Sequence, residues 1–538
     1  MESEFDRLFV AAQGLLRRGE VAAAQAAIAE LSRLDASDIR STALSGAVHL
    51  RRGQPSQALA CFDQVLQVRP DHAPAHNDRG LALNQLGRTA EALESFERAA
   101  SLAPEMAVAH SNRAQALNAL GRHEAALAGA ETALALNADL ANAWRHRGQA
   151  QFALEQFEAA LGSHGAALLR GASRSDVLPD MAMTLAALGR CDEAMALYDE
   201  VCASRPDDPM PRYRRAFVRL VTGDFAGGWA DYEARWAETF KAGHDTGAVT
   251  ADLRHRLTLH PSAKDLAGKR VLVLDEQGIG DKIMFASVLP DLAAIAADVT
   301  CIVERRLLSL CAQALPRIAF RAGRGPGVVD PDHFDVIVAM GSLPGVFRRS
   351  VEAFPGRPYL APRPAITEAW RQRLGPRNTR LRIGVSWRGG VATTRTLARS
   401  MDLARLSPIL DRPDCEIVNL QYGDVADEVA SANAGRARPI LSFPADETRD
   451  FEQLAGLVSA LDTVVTVQTT LAHLAGAMGQ TAMVMIPQSP EWRYGTAGPA
   501  MPWYGSLRLF RQREAGDWAP VIGEIGRALD TFSPATPT

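Results

Sequence analysis

The sequence predicts an α-helical solenoid over residues 5–240 followed by an α/β region of two doubly wound lobes. Three observations predict this. A motif recurs every 34 residues through the first half. Apolar β-branched runs alternate with amphipathic stretches through the second half. A Pro- and Arg-rich segment divides that second half in two. At 538 residues the chain is too long for a single core, so several domains are expected.

The repeating units start near Phe5, Ile39, Ala73, Ala107, Ala141, Ser175 and Pro209. The unit "APAHNDRGLALNQLGRTAEALESFERAASLAPEM" and its neighbour "AVAHSNRAQALNALGRHEAALAGAETALALNADL" each read as two amphipathic helices around a Gly-Arg turn, at Gly87-Arg88 and Gly121-Arg122. Small residues recur at the eighth place (Gly46, Gly80, Ala114, Gly148) and the twentieth (Ala58, Ala92, Ala126, Ala160, Ala194), where two helices must approach closely. Aromatics fill the twenty-fourth place at Phe62, Phe96, Tyr198 and Tyr232, and prolines close units at Pro70, Pro104 and Pro206. This is the tetratricopeptide pattern. One unit cannot bury its apolar faces alone, so the units stack, and the concave side of such a stack offers a groove to a protein or peptide partner. The alternative is an array that only supports or dimerises the rest. The last unit, "GDFAGGWADYEARW", puts Gly228 where alanine is expected, and the solenoid ends near Phe240. Residues 241–269 read as a connector.

From Arg270 the texture changes. "RVLVLDEQGIGDKIMFASVLPDLAAIA" is a strand, a glycine-containing loop and an amphipathic helix, the opening of a βαβ unit. Further strands are expected at Val299 to Val303 and Phe334 to Ala339, giving a first lobe over 270–362. A hinge occupies 363–382. The second lobe, 383–530, opens with "RIGVSWRGG" and continues with strands near Glu416 to Leu420, Thr463 to Val467, Ala482 to Ile486 and Leu507 to Phe510. Ligands of such sheets bind at the carboxyl ends of the strands.

Composition narrows the function. A 47% hydrophobic and 22% charged chain is an ordinary globular one, and a net charge of -4 argues against bulk nucleic-acid binding. Six scattered cysteines, with no CxxC and no Cys/His cluster, point to neither zinc nor a disulfide framework and fit a reducing compartment. "MESEFDRLFV" has no signal-peptide character and no apolar run approaches the ~20 residues of a membrane span, so a cytoplasmic location is expected.

The chemistry is sought at the strand ends. In the first lobe Gly278 and Gly280 allow a tight turn after the strand, and Asp281 stands at the start of the next helix. Its carboxylate can cap that helix, or accept a proton from a hydroxyl nucleophile. The full GxGxxG is absent, so NAD is not inferred. In the second lobe "SWRGGVATTRTLARS" offers Arg388, Arg395 and Arg399 around Gly389 and Gly390, guanidinium groups suited to a diphosphate without a metal, or else an exposed loop. In "TVVTVQTTLAHLAGAMG", Thr469 and Thr470 can cap a helix whose N-terminus attracts phosphate, and His473 lies one turn further on. The pair Asp330 and Asp332 has DxD spacing but stands alone, so no metal site is expected.

Taken together, these segments resemble bacterial tetratricopeptide proteins with a C-terminal GT-B glycosyltransferase domain similar to lipopolysaccharide heptosyltransferases. The anchors are "GDFAGGWADYEARW", "EQGIGDKIMFASVLP", "SWRGG", "RSMDL", "NLQYGD", "VQTTLAHLAGAMG", "PEWRYG" and "MPWYGSLRLFRQ". The last four are also similar to a subset associated with flagellin modification. The resemblance implies metal-independent, inverting transfer from a nucleotide-sugar with no further cofactor. Asp281 is the implied base, and the implied donor-side residues are Trp387, Arg388, Arg399, Ser400, Gln421, Gln468, Thr469, Thr470 and His473. Gln468 replaces the family's aspartate and Thr470 its glycine, which departs from an ADP-heptose donor and leaves a CMP-linked nonulosonic acid open. The function expected is transfer of a sugar to a protein hydroxyl, with flagellin one acceptor. The alternatives are a protein-interaction scaffold with an inactive transferase-like domain, and a transferase acting on a lipid-linked glycan.

Overall fold

A computed structural model describes residues 3–35, 38–237, 249, 251–323, 327–390 and 398–533. The chain divides into two compact units, residues 1–188 and 189–538. Arg395 and the expected solenoid end at Phe240 lie outside the described residues.

Fourteen consecutive helices run from Glu4 to Tyr232, paired as the 34-residue period requires. Within the third unit Ala73–Gln85 and Thr89–Leu102 flank the Gly87 turn, and within the fourth Ala107–Ala119 and His123–Leu136 flank Gly121. The turn residue is left-handed in unit after unit: Gly19, Gly53, Gly87, Gly121, Gly189 and Gly223 have φ between 67° and 90°. Glycine bears that conformation without a Cβ penalty. The same place in the fifth unit is Glu155, with φ 61°.

Ring and glycine are matched across each helix pair. A Cβ on Gly46 would sit 2.7 Å from the Phe62 ring, and Gly80 is closed in the same way by Phe96. Both rings are wholly buried, which stabilises each by roughly 1.5–3 kcal/mol. In the fifth unit the ring place is taken by His164, packed on Gly148 and fully buried. In the fourth both places are small, Ala114 and Ala130.

The second unit holds two parallel sheets. Strands β1 (Arg270–Leu274), β2 (Asp298–Val303), β3 (Ala319–Ala322) and β4 (Val336–Ala339) form the first, in the order β3-β2-β1-β4. Strands β5 (Leu381–Ser386), β6 (Cys415–Asn419), β7 (Thr463–Val467), β8 (Ala482–Ile486) and β9 (Leu507–Arg511) form the second, in the order β6-β5-β7-β8-β9. All pairings are parallel. Parallel strands are covered on both faces, and β7 and β8 are accordingly buried at every residue. Strand β3 has no counterpart in the sequence reading, because four residues with Arg321 facing solvent make a weak edge signal. The order in which strands are added reverses between β1 and β4 in one sheet and between β5 and β7 in the other, the two places where such sheets form a crevice.

The crevice of the first sheet is filled from within the chain. Arg235, in the short helical turn Glu233–Trp236 after the last repeat helix, is fully buried. Its five N–H groups meet five acceptors: Glu276 twice (2.8 and 2.7 Å), Glu233 (2.7 Å), Ser342 Oγ (3.0 Å) and the Tyr232 carbonyl (3.0 Å). Glu276 follows β1 and Ser342 follows β4. Glu276 also accepts from the Gly341 N–H at 2.9 Å. Around this network Trp229 packs on Trp492 at 5.6 Å and on Trp503 at 6.3 Å, and its indole donates to the Arg348 carbonyl. The last repeat is thereby part of the α/β core. Within 363–382 the helix Pro364–Arg373 buries Trp370 against Gly456. Among the described residues no helix is long and apolar enough to cross a membrane.

Candidate functional site

The first-lobe loop turns differently from the sequence expectation. The left-handed residue is Gln277 (φ 66°), while Gly278 is extended at φ -70° and stands at the N-cap of the helix Ile279–Ala286 without a side-chain cap bond. Gly280 is needed for another reason. A Cβ there would come within 3.1 Å of His473 Cδ2 and 3.5 Å of Thr470 Oγ1, so the two lobes touch at this glycine.

Asp281 does not cap its helix; it lies inside the first turn. Its Oδ1 accepts from Arg493 Nε at 2.9 Å and also from Nη2, an ion pair across the lobes with both side chains mostly buried. Arg493 lies in the turn Trp492–Tyr494 after β8 and reaches Glu491 at 3.4 Å with its other nitrogen. Burial disfavours the Arg493 cation, but Asp281 and Glu491 outweigh it, and its pKa is raised. Arg399 pairs with the same Glu491 at 3.5 Å.

The second lobe's crevice is built from the ends of β5 and β7. Gly389 lies against the Gln468 carbonyl and the Thr469 methyl, an approach no side chain would allow. Thr469 caps the helix Thr470–Ala477, its Oγ1 accepting from the Leu471 N–H at 3.2 Å. Gln468 is buried; its Oε1 accepts from the Glu491 N–H at 3.4 Å, and its Nε2 has no partner among the described residues. The N-terminus of that helix follows Gln468 directly, so an amide and free helix N–H groups lie side by side in the chain.

The remaining expected residues have other surroundings. His473 is buried between two tyrosines, with Nδ1 3.2 Å from the Tyr504 hydroxyl and Nε2 3.5 Å from the Tyr494 hydroxyl. Burial, with a smaller contribution from Arg493, lowers its pKa to about 3, so the ring is neutral near pH 7. Trp387 is wholly buried, its indole donating to Glu428 at 2.9 Å, so its ring faces the core. Arg388 pairs with Glu428 at 2.9 Å, and its backbone bridges to Ser400, whose hydroxyl accepts from the Gly389 N–H at 3.3 Å. Gln421 holds the backbone after β5: its Oε1 accepts from Ser386 Oγ and from the N–H groups of Trp387 and Arg388 at 2.8–3.0 Å. The structure thus brings Asp281, Gly280, Thr470 and His473 together and gives Trp387 and Gln421 positions that organise the loop. Arg493 and Glu491 were not singled out in the sequence, although "PEWRYG" contains both.

Asp330 caps a short turn, accepting from the Asp332 N–H at 3.0 Å, and Asp332 pairs with Arg256 at 2.8 Å. Among the described residues no group of three or more His, Cys, Asp or Glu side chains is placed to hold a metal ion.

A tetratricopeptide-repeat family model matches residues 46–119, and the helical half of the chain carries tetratricopeptide repeats. The chain is 31% identical over 373 residues to Protein FlbA of Caulobacter vibrioides, a match that covers 66% of this chain and 60% of FlbA. It therefore spans less than two thirds of that relative. Among solved structures it is similar to a tetratricopeptide repeat protein of Parabacteroides merdae (TM-score 0.35, 15% identity, 44% of this chain and 94% of that one). It is also similar to PilF of Pseudomonas aeruginosa (TM-score 0.33, 17% identity, 38% of this chain and 93% of that one).

Proposed function

We propose that the chain is a metal-independent glycosyltransferase that moves a sugar from a nucleotide-sugar to a hydroxyl of a protein captured by its repeats. The observation that carries this reading is the meeting of Asp281 with Arg493 beside the helix end capped by Thr469. A carboxylate from one lobe and guanidinium and amide donors from the other are the two parts such a transfer needs. Asp281 takes the proton of the acceptor hydroxyl, whose oxygen forms the new bond to the anomeric carbon. The bond from that carbon to phosphate breaks, and the nucleotide leaves with the electron pair. Arg399, Arg493, the Gln468 amide and the helix end stabilise the departing phosphate. For this Arg493 must turn from Asp281 to the phosphate, and Glu491 is its second partner during that turn. Flagellin is the first acceptor to try, on the resemblance of the sequence.

A second reading is compatible with the same contact: with Asp281 engaged by Arg493 and His473 buried, a scaffold whose transferase-like lobes do not turn over would hold both unchanged. Thermal melts with UDP, GDP, ADP and CMP separate the two. The transferase reading expects one nucleotide to raise the melting temperature by several degrees, since saturation at 100 Kd stabilises by about 2.7 kcal/mol. Arg399→Ala should weaken that nucleotide about tenfold. No shift with any of the four favours the scaffold.

A further inference from the structure

Tyr422 is 57% exposed, and among the described residues no other phenylalanine, tyrosine or tryptophan is exposed. A single apolar side chain in water means little by itself. This ring, however, is also fixed at both ends. Its hydroxyl donates to the Gly390 carbonyl at 2.9 Å, and its backbone carbonyl accepts from Gln421 Nε2 at 3.2 Å. The same Gln421 nitrogen donates to the Arg388 carbonyl at 3.1 Å, so the loop after β5 and the turn after β6 are tied together. A tyrosine held this way gives up its rotamer freedom without burying its face, which is the condition of a contact surface organised before its ligand arrives.

The place of the ring in the sheet bears on what it meets. Gly389 packs on Thr469, the cap of the helix Thr470–Ala477, and Gly390, the next residue, takes the Tyr422 hydroxyl. Ring and helix N-terminus are thus joined through two consecutive residues of one loop. In doubly wound sheets the phosphates of a nucleotide sit in the crevice, where a helix N-terminus meets them, and the nucleoside crosses the end of a neighbouring strand. Strands β6 and β7 flank β5, so their ends stand about 10 Å apart, on the scale of the reach from phosphate to base. Asp424 accepts from the Ala426 N–H at 3.3 Å at the start of the helix Ala426–Asn433, and an uncharged base is not repelled by it.

We infer that, in a chain that takes a nucleotide-sugar as proposed above, the face of Tyr422 is the platform on which the base of the donor stacks. Its one hydroxyl is already bonded to Gly390, so the ring offers the base a face and no hydrogen-bonding edge. Every base has a π-face, and Tyr422 therefore adds affinity without choosing among bases.

Isothermal titration of the full chain with UDP, GDP, ADP and CMP tests this, each variant being titrated at a temperature where it is shown to be folded. The parent is expected to bind one of the four saturably. Tyr422→Ala should weaken that nucleotide about tenfold or more. Tyr422→Phe, which keeps the face and loses the bond to Gly390, should stay within about threefold of the parent. A nucleotide that binds the parent and Tyr422→Ala alike would overturn the stacking and leave the transferase reading standing. A loss in Tyr422→Phe equal to that in Tyr422→Ala would also overturn it, and would make the residue a latch on the Gly390 loop. No binding of any of the four to the parent would overturn the stacking together with the transferase reading.

Discussion

Two residues of the fifth repeat depart from the pattern of their neighbours. Glu155 occupies the left-handed turn place that glycine holds in six other units. A non-glycine residue there carries a Cβ clash, so Glu155→Gly should stabilise the solenoid by about 1 kcal/mol, read as a shift of the denaturation midpoint. His164 occupies the place of Phe62 and Phe96, wholly buried and with neither ring nitrogen bonded among the described residues. Burial lowers its pKa, as it lowers that of His146 to about 4. Both rings are neutral in fold and unfolded chain well above pH 6.5, so they add no pH dependence there. Below 6.5 the unfolded chain takes up protons that the folded ring refuses, and stability falls as pH falls. For a ring such as His146 the loss between pH 7 and pH 5 is about 2 kcal/mol. His164→Phe should therefore melt higher than the parent at pH 7 and lose less on going to pH 5. Equal slopes for the two proteins would refute this.

At the scale of elements, periodic signals were legible and edges and partners were not. Thr463–Val467 and Ala482–Ile486 form strands at the residues where their unbroken apolar runs placed them. The 34-residue phase located the helix pairs because ring and small residue must repeat together. Strand β3 escaped because it is short and half-exposed. Asp281 was legible as a residue at a strand's carboxyl end, but Arg493 was not, because 212 positions separate the pair and only the folding of two lobes brings them together. The same limit hid Arg235, which reaches Glu276 across 41 residues. Its replacement shows what that element does. Arg235→Leu strands Glu233 and Glu276 in the core and should destabilise the second unit by about 3–5 kcal/mol, measured by urea denaturation. Adding Glu276→Gln should recover part of the loss, because one buried charge is removed.

At the scale of the whole molecule, the boundary between units does not follow the boundary between repeats and sheets. The repeat helices Cys191–Ser204, Pro209–Val221 and Phe225–Tyr232 belong with the α/β unit, and Arg235 and Trp229 anchor them there. A fragment of residues 189–538 should fold and melt as one transition, whereas one starting at 249 should not, since it exposes the Trp492 and Trp503 faces and leaves Glu276 unpaired. This arrangement makes the last repeat a structural part of the lobes that carry Asp281 and Arg493. The most direct test is intact-protein mass spectrometry of flagellin and of a bacterial lysate after incubation with the full chain and a panel of nucleotide-sugars. A sugar-sized mass increment on a serine or threonine is predicted, present with the parent chain and lost with Asp281→Asn at a temperature where that variant is shown to be folded. No increment from any donor, or an increment undiminished by Asp281→Asn, would contradict the account.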